Sequence, residues 1–489
     1  MFDSETIVFY CESKVAPLWS YAAPANCRGS FNPAVLGLLF YIDKNAELKP
    51  SAIDKYSWDF KHQHYKLILK DNLYFQNGRK VTAKDFEFSI LRFFFTKEAN
   101  IASTFMSNLL GTEKIQRGQP YQSGVIEGIQ ILDDKTIILK PAKYNPNFLY
   151  TFALADYALV PQEELQNDLL TWKTWPIGSG PYKVKSFDAK TGIYHLKLDK
   201  EKEYPNAPKK ILFESNYIYE PDLTLKDKEA AVSKKYKKET MFASFYIRLL
   251  NFNFSSSLGK DLDFRKAVSF ALSQSKISKA TVPKTQPLYE TIPIGGIGRI
   301  NVGELHNINE AKKLFKKVLG ENYNNTIFKV PYTPDIYLGE EYLNIIKDQL
   351  SLAGFKVEFV KTTNLWNPFN NEFKDSPMYL CSQGADFIDP LVSFSKYRKG
   401  GPAADRYPSD PELGALIEET KDSNNRNLLN ERLKLISNYF HEYKIVIPLF
   451  NVPTTAYYKA NKIKNVGDQF GGATFYLFHV ELNKKQKIN

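Results

Sequence analysis

Six histidines and three cysteines are the residues of this 489-residue chain from which a metal centre or a nucleophilic site would be assembled. A zinc or iron site needs several such ligands at short spacing, and covalent catalysis needs a nucleophile within reach of a base. Neither pattern occurs. There is no G-x-x-x-x-G-K-[ST] phosphate loop, no H-E-x-x-H pair and no G-x-S-x-G elbow. His62 and His64 would share one strand face, which reads more simply as a solvated strand edge than as a metal site. Cys11 and Cys27 lie close enough in sequence for a local disulfide in an oxidising compartment. That would leave Cys381 as a small apolar residue. The expectation is a protein without catalytic residues, metal or cofactor, and so not an enzyme.

Binding is the chemistry that the remaining residue types suit. The chain has 30 Tyr and 35 Phe against 5 Trp and 4 Met. Most of these rings belong to core and strand packing, and some can wall a ligand cleft. The net charge is +11, but the lysines are dispersed, with short clusters at Lys234-Lys235, Lys237-Lys238 and Lys484-Lys485. No zinc-knuckle spacing or RNA-recognition signature accompanies them, so a solvated surface is expected and no nucleic-acid partner. No run approaches the roughly 20 apolar residues of a membrane helix. The N-terminus lacks the basic start and apolar stretch of a signal peptide, and reads as a mature chain with an added start Met.

The elements that would position such a site alternate strand and helix. Thr6–Tyr10 is strand-like and leads into an extended region ending near Pro33. In residues 65–70, Tyr65, Leu67 and Leu69 alternate with Lys66, Ile68 and Lys70, the period of a strand. Thr82 with Asp85 three residues on predicts a capped helix carrying Phe86, Ile90, Leu91 and Phe94. Residues 124–140 read as two strands around Asp133-Asp134-Lys135, and Gly178–Tyr182 as a turn feeding a strand over 183–187. Residues 219–240 are polar and read as a surface linker. Beyond it, 245–254 is a strongly apolar strand. Helices follow over 263–272 (with Asp263 near its start), 309–319, 340–353, 411–419 and 427–443, with strands over 356–360 and 445–450. This alternation argues for α/β lobes.

Several of these segments, in this order, resemble the family 5 extracellular solute-binding proteins, the peptide-binding components of ABC importers. Asn72–Ser89 is similar to the family's strand, "F-x-[DN]-G" turn and "T-A-x-D-[VF]-x-[FY]-S" helix. Pro176-Ile177-Gly178-Ser179-Gly180-Pro181-Tyr182 resembles its "P-x-G-[TS]-G-P-Y" turn. Leu262–Val268 looks like "D-x-R-x-R-x-A", with Phe264 and Lys266 as variants. Glu310–Leu314 and Ile346–Val357 resemble two family helices, and Gly384–Pro390 is similar to the "A-D-[YF]-x-D-P" loop. The resemblance runs from about residue 35 to the end.

It implies an α/β, two-lobed periplasmic-binding-protein-like fold (type II, cluster C) with an extra subdomain in the N-terminal lobe. Lobe I would comprise 1–40, 165–246 and 456–489, the inserted subdomain II 41–164, and lobe III 247–455, with hinge strands near 247–253 and 448–456. The function implied is capture of a di- or oligopeptide in the interlobe cleft by a monomeric, periplasmic or membrane-anchored protein. That protein would deliver the peptide to an inner-membrane ABC permease. In peptide-binding relatives the aspartate of the "A-D" loop pairs with the ligand's α-ammonium, a role that falls here on Asp386. Other candidates are Phe387, Gln383, Trp366 and Tyr397 as walls, Arg398 and Arg406 for a carboxylate, and Trp19 and Tyr21 from the N-terminus. Tyr379 and Phe394 lie around the same loop. Three features depart from the pattern: the short 213–245 segment, the poor fit of 1–35, and Gln383-Gly384 where relatives often have a Trp. A nickel chelate, haem, an opine or an oligosaccharide remains an alternative ligand, and a cytoplasmic sensor or chaperone an alternative role.

Overall fold

A computed structural model describes residues 3–11, 27–43, 47–97, 102–103, 106–143, 145, 147–225, 233–241, 246–282, 284–334, 338–362, 371–383, 390–394, 397, 410–421, 423, 425–452, 454–470 and 474–483. The chain divides into two compact units. One holds 1–226, 233–239 and 455–489, the other 227–232 and 240–454. Among the described residues no helix is long and apolar enough to cross a membrane.

The first unit is built on a seven-stranded sheet. Its order is Lys237–Met241, Thr454–Tyr458, Leu223–Leu225, Thr6–Tyr10, Lys210–Glu214, Ile193–Leu198 and Tyr182–Asp188. Thr6–Tyr10 runs parallel to both of its neighbours, with Phe9 opposite Phe213 and Leu223. Such parallel strands are buried on both faces, and Ile7, Val8 and Phe9 are almost wholly enclosed. Two strands therefore occupy 219–240, which composition marks as a linker. They escape a periodicity reading because one has three residues and the other is an edge strand carrying Lys237, Lys238 and Glu239.

The extended region expected to end at Pro33 is instead a helix, Arg28–Val35, with Pro33 inside it. Propensity opposes this. Tertiary packing overrides it, because Phe31, Ala34 and Val35 are fully buried and Phe31 meets Phe213 edge-on at 5.3 Å. Cys27, at the helix start, is joined to Cys11 by a disulfide.

Local signals are obeyed more faithfully over 48–198. Ile53–Asp59, His64–Leu69, Thr136–Leu139 and Ile129–Ile131 form a four-stranded antiparallel sheet, with Tyr65, Leu67 and Leu69 buried as their alternation requires. His62 falls in the tight turn before His64, not on the strand face expected for it, and its Nδ1 lies 2.8 Å from Asp59. The two imidazoles stack at 5.8 Å. The helix Ala83–Phe95 begins as expected, for Asp85 Oδ2 accepts the Thr82 backbone N–H at 2.8 Å. Arg79 donates to both oxygens of Asp85 and to Glu163, fixing the turn against the helix.

The Gly178-Ser179-Gly180 turn has a packing cause. A Cβ on Gly178 would lie 2.2 Å from Leu36 Cα, and one on Gly180 2.5 Å from Ala34 O. The turn presses against the end of the Arg28–Val35 helix, where Ser179 and Gly180 donate their N–H groups to Leu36 O and Val35 O. Only glycine permits that approach.

The second unit carries a six-stranded sheet in the order Gln286–Pro287, Val446–Asn451, Ile247–Phe252, Met378–Gln383, Ile327–Tyr332 and Lys356–Lys361. Ile247–Phe252 is antiparallel to both neighbours, whereas Ile327–Tyr332 is parallel to its own two. The helices Leu262–Ala271, Ile308–Leu319, Tyr342–Leu352, Pro411–Lys421 and Arg426–Tyr443 pack around it, close to the expected spans. The cap of the first is Asp261, whose Oδ1 accepts the Phe264 N–H at 3.0 Å, and Asp263 lies in its first turn as expected. Phe264 is fully buried between Phe315 and Phe355. Arg265 points the other way and donates to Gly259 O, Lys260 O and Tyr443 O. The arginine of the "D-x-R" segment thus pins one helix to the C-terminal carbonyls of another.

Candidate functional site

In open α/β sheets ligands bind at the carboxyl ends of the strands. Each unit presents such an edge. In the second unit it is formed by Gln383, which ends Met378–Gln383, and by Tyr332-Thr333 at the end of the adjacent parallel strand. Gln383 stands opposite Ile247 in the antiparallel pair. Together with Ile292, Pro293, Pro390 and Phe394 these two residues line a small recess of about 20 Å³. The recess is mostly apolar, and Gln383 supplies its amide.

Tyr397 is brought to the same place. It is buried, stands edge-on to Phe440 at 4.8 Å, and its hydroxyl donates to Gln383 Oε1 at 3.4 Å. Tyr379 is a buried core residue, whereas Phe394, also buried, lines the recess. Asp386 and Phe387 lie in 384–389, between the strand end at Gln383 and the short helix Pro390–Phe394, outside the described residues. Trp366, Arg398, Arg406, Trp19 and Tyr21 also fall outside them. Of the residues singled out from sequence, the structure places Gln383 and Tyr397 and puts them in contact.

Arg248 was hidden in an apolar run, and is the residue at this edge that pattern reading passes over. It is fully enclosed beneath the strand ends, where Nη1 donates to Ser382 Oγ at 3.0 Å and Nη2 to Thr333 O at 2.6 Å. A guanidinium inside a strand as apolar as Ile247–Phe252 is itself a signal, because arginine is rarely buried without purpose.

In the first unit the corresponding edge lies at Tyr10, Glu214 and Leu225, the ends of three mutually parallel strands. Tyr10 meets Tyr217 edge-on at 4.9 Å, and Tyr217, Ile218 and Tyr219 are all exposed. Their loop is held by Glu214, a fully buried carboxylate that accepts the N–H groups of Ile218 and Tyr219 at 3.2 Å. Burial holds the Glu214 carboxyl above its ordinary range, while those backbone N–H groups pull it down. The disulfide closes the segment that follows Tyr10, the one containing Trp19 and Tyr21. Among the described residues no cluster of His, Cys, Asp and Glu is arranged to hold a metal.

Comparison with known proteins identifies the family. The family model of the bacterial extracellular solute-binding proteins, family 5 (middle), matches residues 47–405. The dipeptide-binding protein DppE of Bacillus subtilis is 24% identical over 427 residues, covering 78% of this chain and 74% of that protein. Among solved structures, a putative peptide-binding protein AppA from Clostridium difficile superposes with a TM-score of 0.80 at 16% identity, covering 98% of this chain and all of that one. The periplasmic binding protein DppA from Helicobacter pylori, solved with the peptide STSA, gives a TM-score of 0.72 at 16% identity, covering 98% of both chains.

Proposed function

Because this chain belongs to the bacterial extracellular solute-binding proteins of family 5, we propose that it is the ligand-capturing subunit of an ABC importer and that its ligand is a peptide. The observation that carries the peptide reading is the likeness to a dipeptide-binding protein across three quarters of both chains. The protein would bind its ligand without changing it, act as a monomer outside the cytoplasmic membrane, periplasmic or lipid-anchored, and pass the ligand to a permease.

The chemistry at the second unit's edge suits that task. A peptide brings an ammonium, amides and side chains. A carboxylate at Asp386 would take the ammonium in a charge-assisted hydrogen bond, which offsets the cost of removing that charge from water. Gln383, held by Tyr397, offers an amide to the backbone, beside apolar residues that a ligand side chain can meet.

Thermal-shift measurements with dipeptides, tripeptides, longer peptides and Ni²⁺ test the proposal, since a ligand that binds only the folded state raises its apparent stability. A transition raised by Ni²⁺ and by none of the peptides would overturn it. Asp386→Asn separates the roles of that residue: peptide affinity falls at least tenfold if it holds the ammonium, and is unchanged if it only shapes a turn.

A further inference from the structure

Arg248 differs from two other arginines of its unit, the half-buried Arg299 and the buried Arg265, in what compensates its charge. Arg299 lies 2.7 Å from the Glu290 carboxylate, itself buried. Arg265 is surrounded by three carbonyls, one of them Tyr443 O at the negative end of a helix. Arg248 is 0% exposed, and its partners are a hydroxyl, a single carbonyl and, at 5.8 Å, the ring of Tyr342. Its Nε has no partner. Glu340 is exposed and accepts from Tyr332 Oη at 3.0 Å; among the described residues no carboxylate forms an ion pair with Arg248.

A guanidinium enclosed without a counter-charge is costly. Its field is also poorly screened, because protein rather than water surrounds it. The field reaches Tyr332, whose ionisation it eases against the stronger opposing effects of burial and Glu340. Both of its hydrogen bonds end at the strand termini that form the candidate edge, one residue before Gln383 and one residue after Tyr332.

We propose that Arg248 makes this edge select for anionic ligands: the missing counter-charge arrives with the ligand, and peptides carrying an acidic side chain are preferred over neutral or basic ones of the same size. Arg248 itself stays enclosed and acts through its field, as a specificity-determining residue. The inference rests on the peptide reading above and narrows it.

Titration calorimetry with Ala-Glu-Ala, Ala-Gln-Ala and Ala-Lys-Ala tests it. The expected order is Glu, Gln, Lys, with about tenfold between the first two, as a unit charge several ångströms away in a partly dry site provides. Arg248→Lys keeps the order, whereas Arg248→Met brings the three peptides within about twofold of one another. A purely structural arginine would make the two variants equally damaging to all three peptides and leave the order intact, which overturns the proposal. If neither variant folds, salt dependence in the unaltered protein decides. A preference set by an enclosed charge persists between about 0.05 M and 1 M salt, and one that collapses belongs to surface lysines. Peptides that bind without a charge preference defeat this inference alone, and a failure of every peptide to bind defeats the peptide reading with it.

Discussion

The hydroxyl of Tyr397 donates to Gln383 Oε1 at 3.4 Å, so a buried ring fixes the amide that closes the strand Met378–Gln383. The bond turns Gln383 from a freely rotating side chain into a positioned one, at the point where the loop containing Asp386 leaves the sheet. Tyr397→Phe preserves the packing on Phe440 and removes the bond. Peptide affinity is expected to drop about three- to tenfold, the worth of one neutral hydrogen bond, with little change in melting temperature. Calorimetry on the variant checks this, and unchanged affinity would place Gln383 outside the site.

Gly178 and Gly180 predict a stability effect with no charge or ligand involved. Alanine at either position puts its Cβ inside contact distance of the backbone at Ala34–Leu36, which cannot yield as a side chain can. Gly178→Ala is expected to destabilise the first unit by about 3 kcal/mol or more. Gly78, with open space around its Cβ direction but φ of +91°, should cost about 1 kcal/mol on the same change. Urea unfolding of the two variants compares clash with backbone strain directly.

The Cys11–Cys27 disulfide closes a loop with a sequence separation of 16 residues. Replacing both cysteines with alanine should lower stability by about 3 kcal/mol, as expected from the entropy that such a loop regains on unfolding. The same measurement on the unaltered protein with and without a reductant should give a matching shift.

Acid should weaken the second unit through His441. Burial, with a smaller contribution from the Lys444 cation, lowers its pKa from 6.5 to about 4 in the folded state. Between those values the unfolded chain binds the proton and the folded one does not, so stability rises with pH across that window and falls on acidification through it. His441→Gln should flatten the stability profile between pH 4 and 6.5, read by denaturant midpoints at several pH values.

Arg265→Met tests whether the arginine of the "D-x-R" segment is structural. It leaves three carbonyls without their donor, and one of them, Tyr443 O, ends a long helix. A loss of about 3 kcal/mol in stability is expected, with peptide affinity unchanged once folded protein is assayed. A selective loss of affinity in a fully stable variant would move Arg265 into the binding site instead.

Much of the architecture was legible because its signals are local. The capped helix Ala83–Phe95, the alternation at His64–Leu69 and the amphipathic helix Ile308–Leu319 each follow from neighbours within a few residues. The glycines at 178 and 180 are visible in the sequence, but what requires them is not local. That they admit Leu36 and Ala34 is a long-range fact. The Arg28–Val35 helix and the strands within 219–240 were misread for the complementary reason. Each is stabilised by partners far away in the chain, against its own composition.

The site divides in the same way. By itself the sequence determined that the chain has the ordered motifs of a two-lobed solute binder, because those motifs are turns, caps and helix faces with local causes. Only the tertiary structure decided that Tyr397 holds Gln383, that Glu214 carries an exposed aromatic loop, and that Arg248 lies enclosed beneath two strand ends. Burial, and the lack among the described residues of a carboxylate paired with it, are properties of what surrounds a residue in space, and the two hydrogen-bond partners of Arg248 lie 85 and 134 positions away.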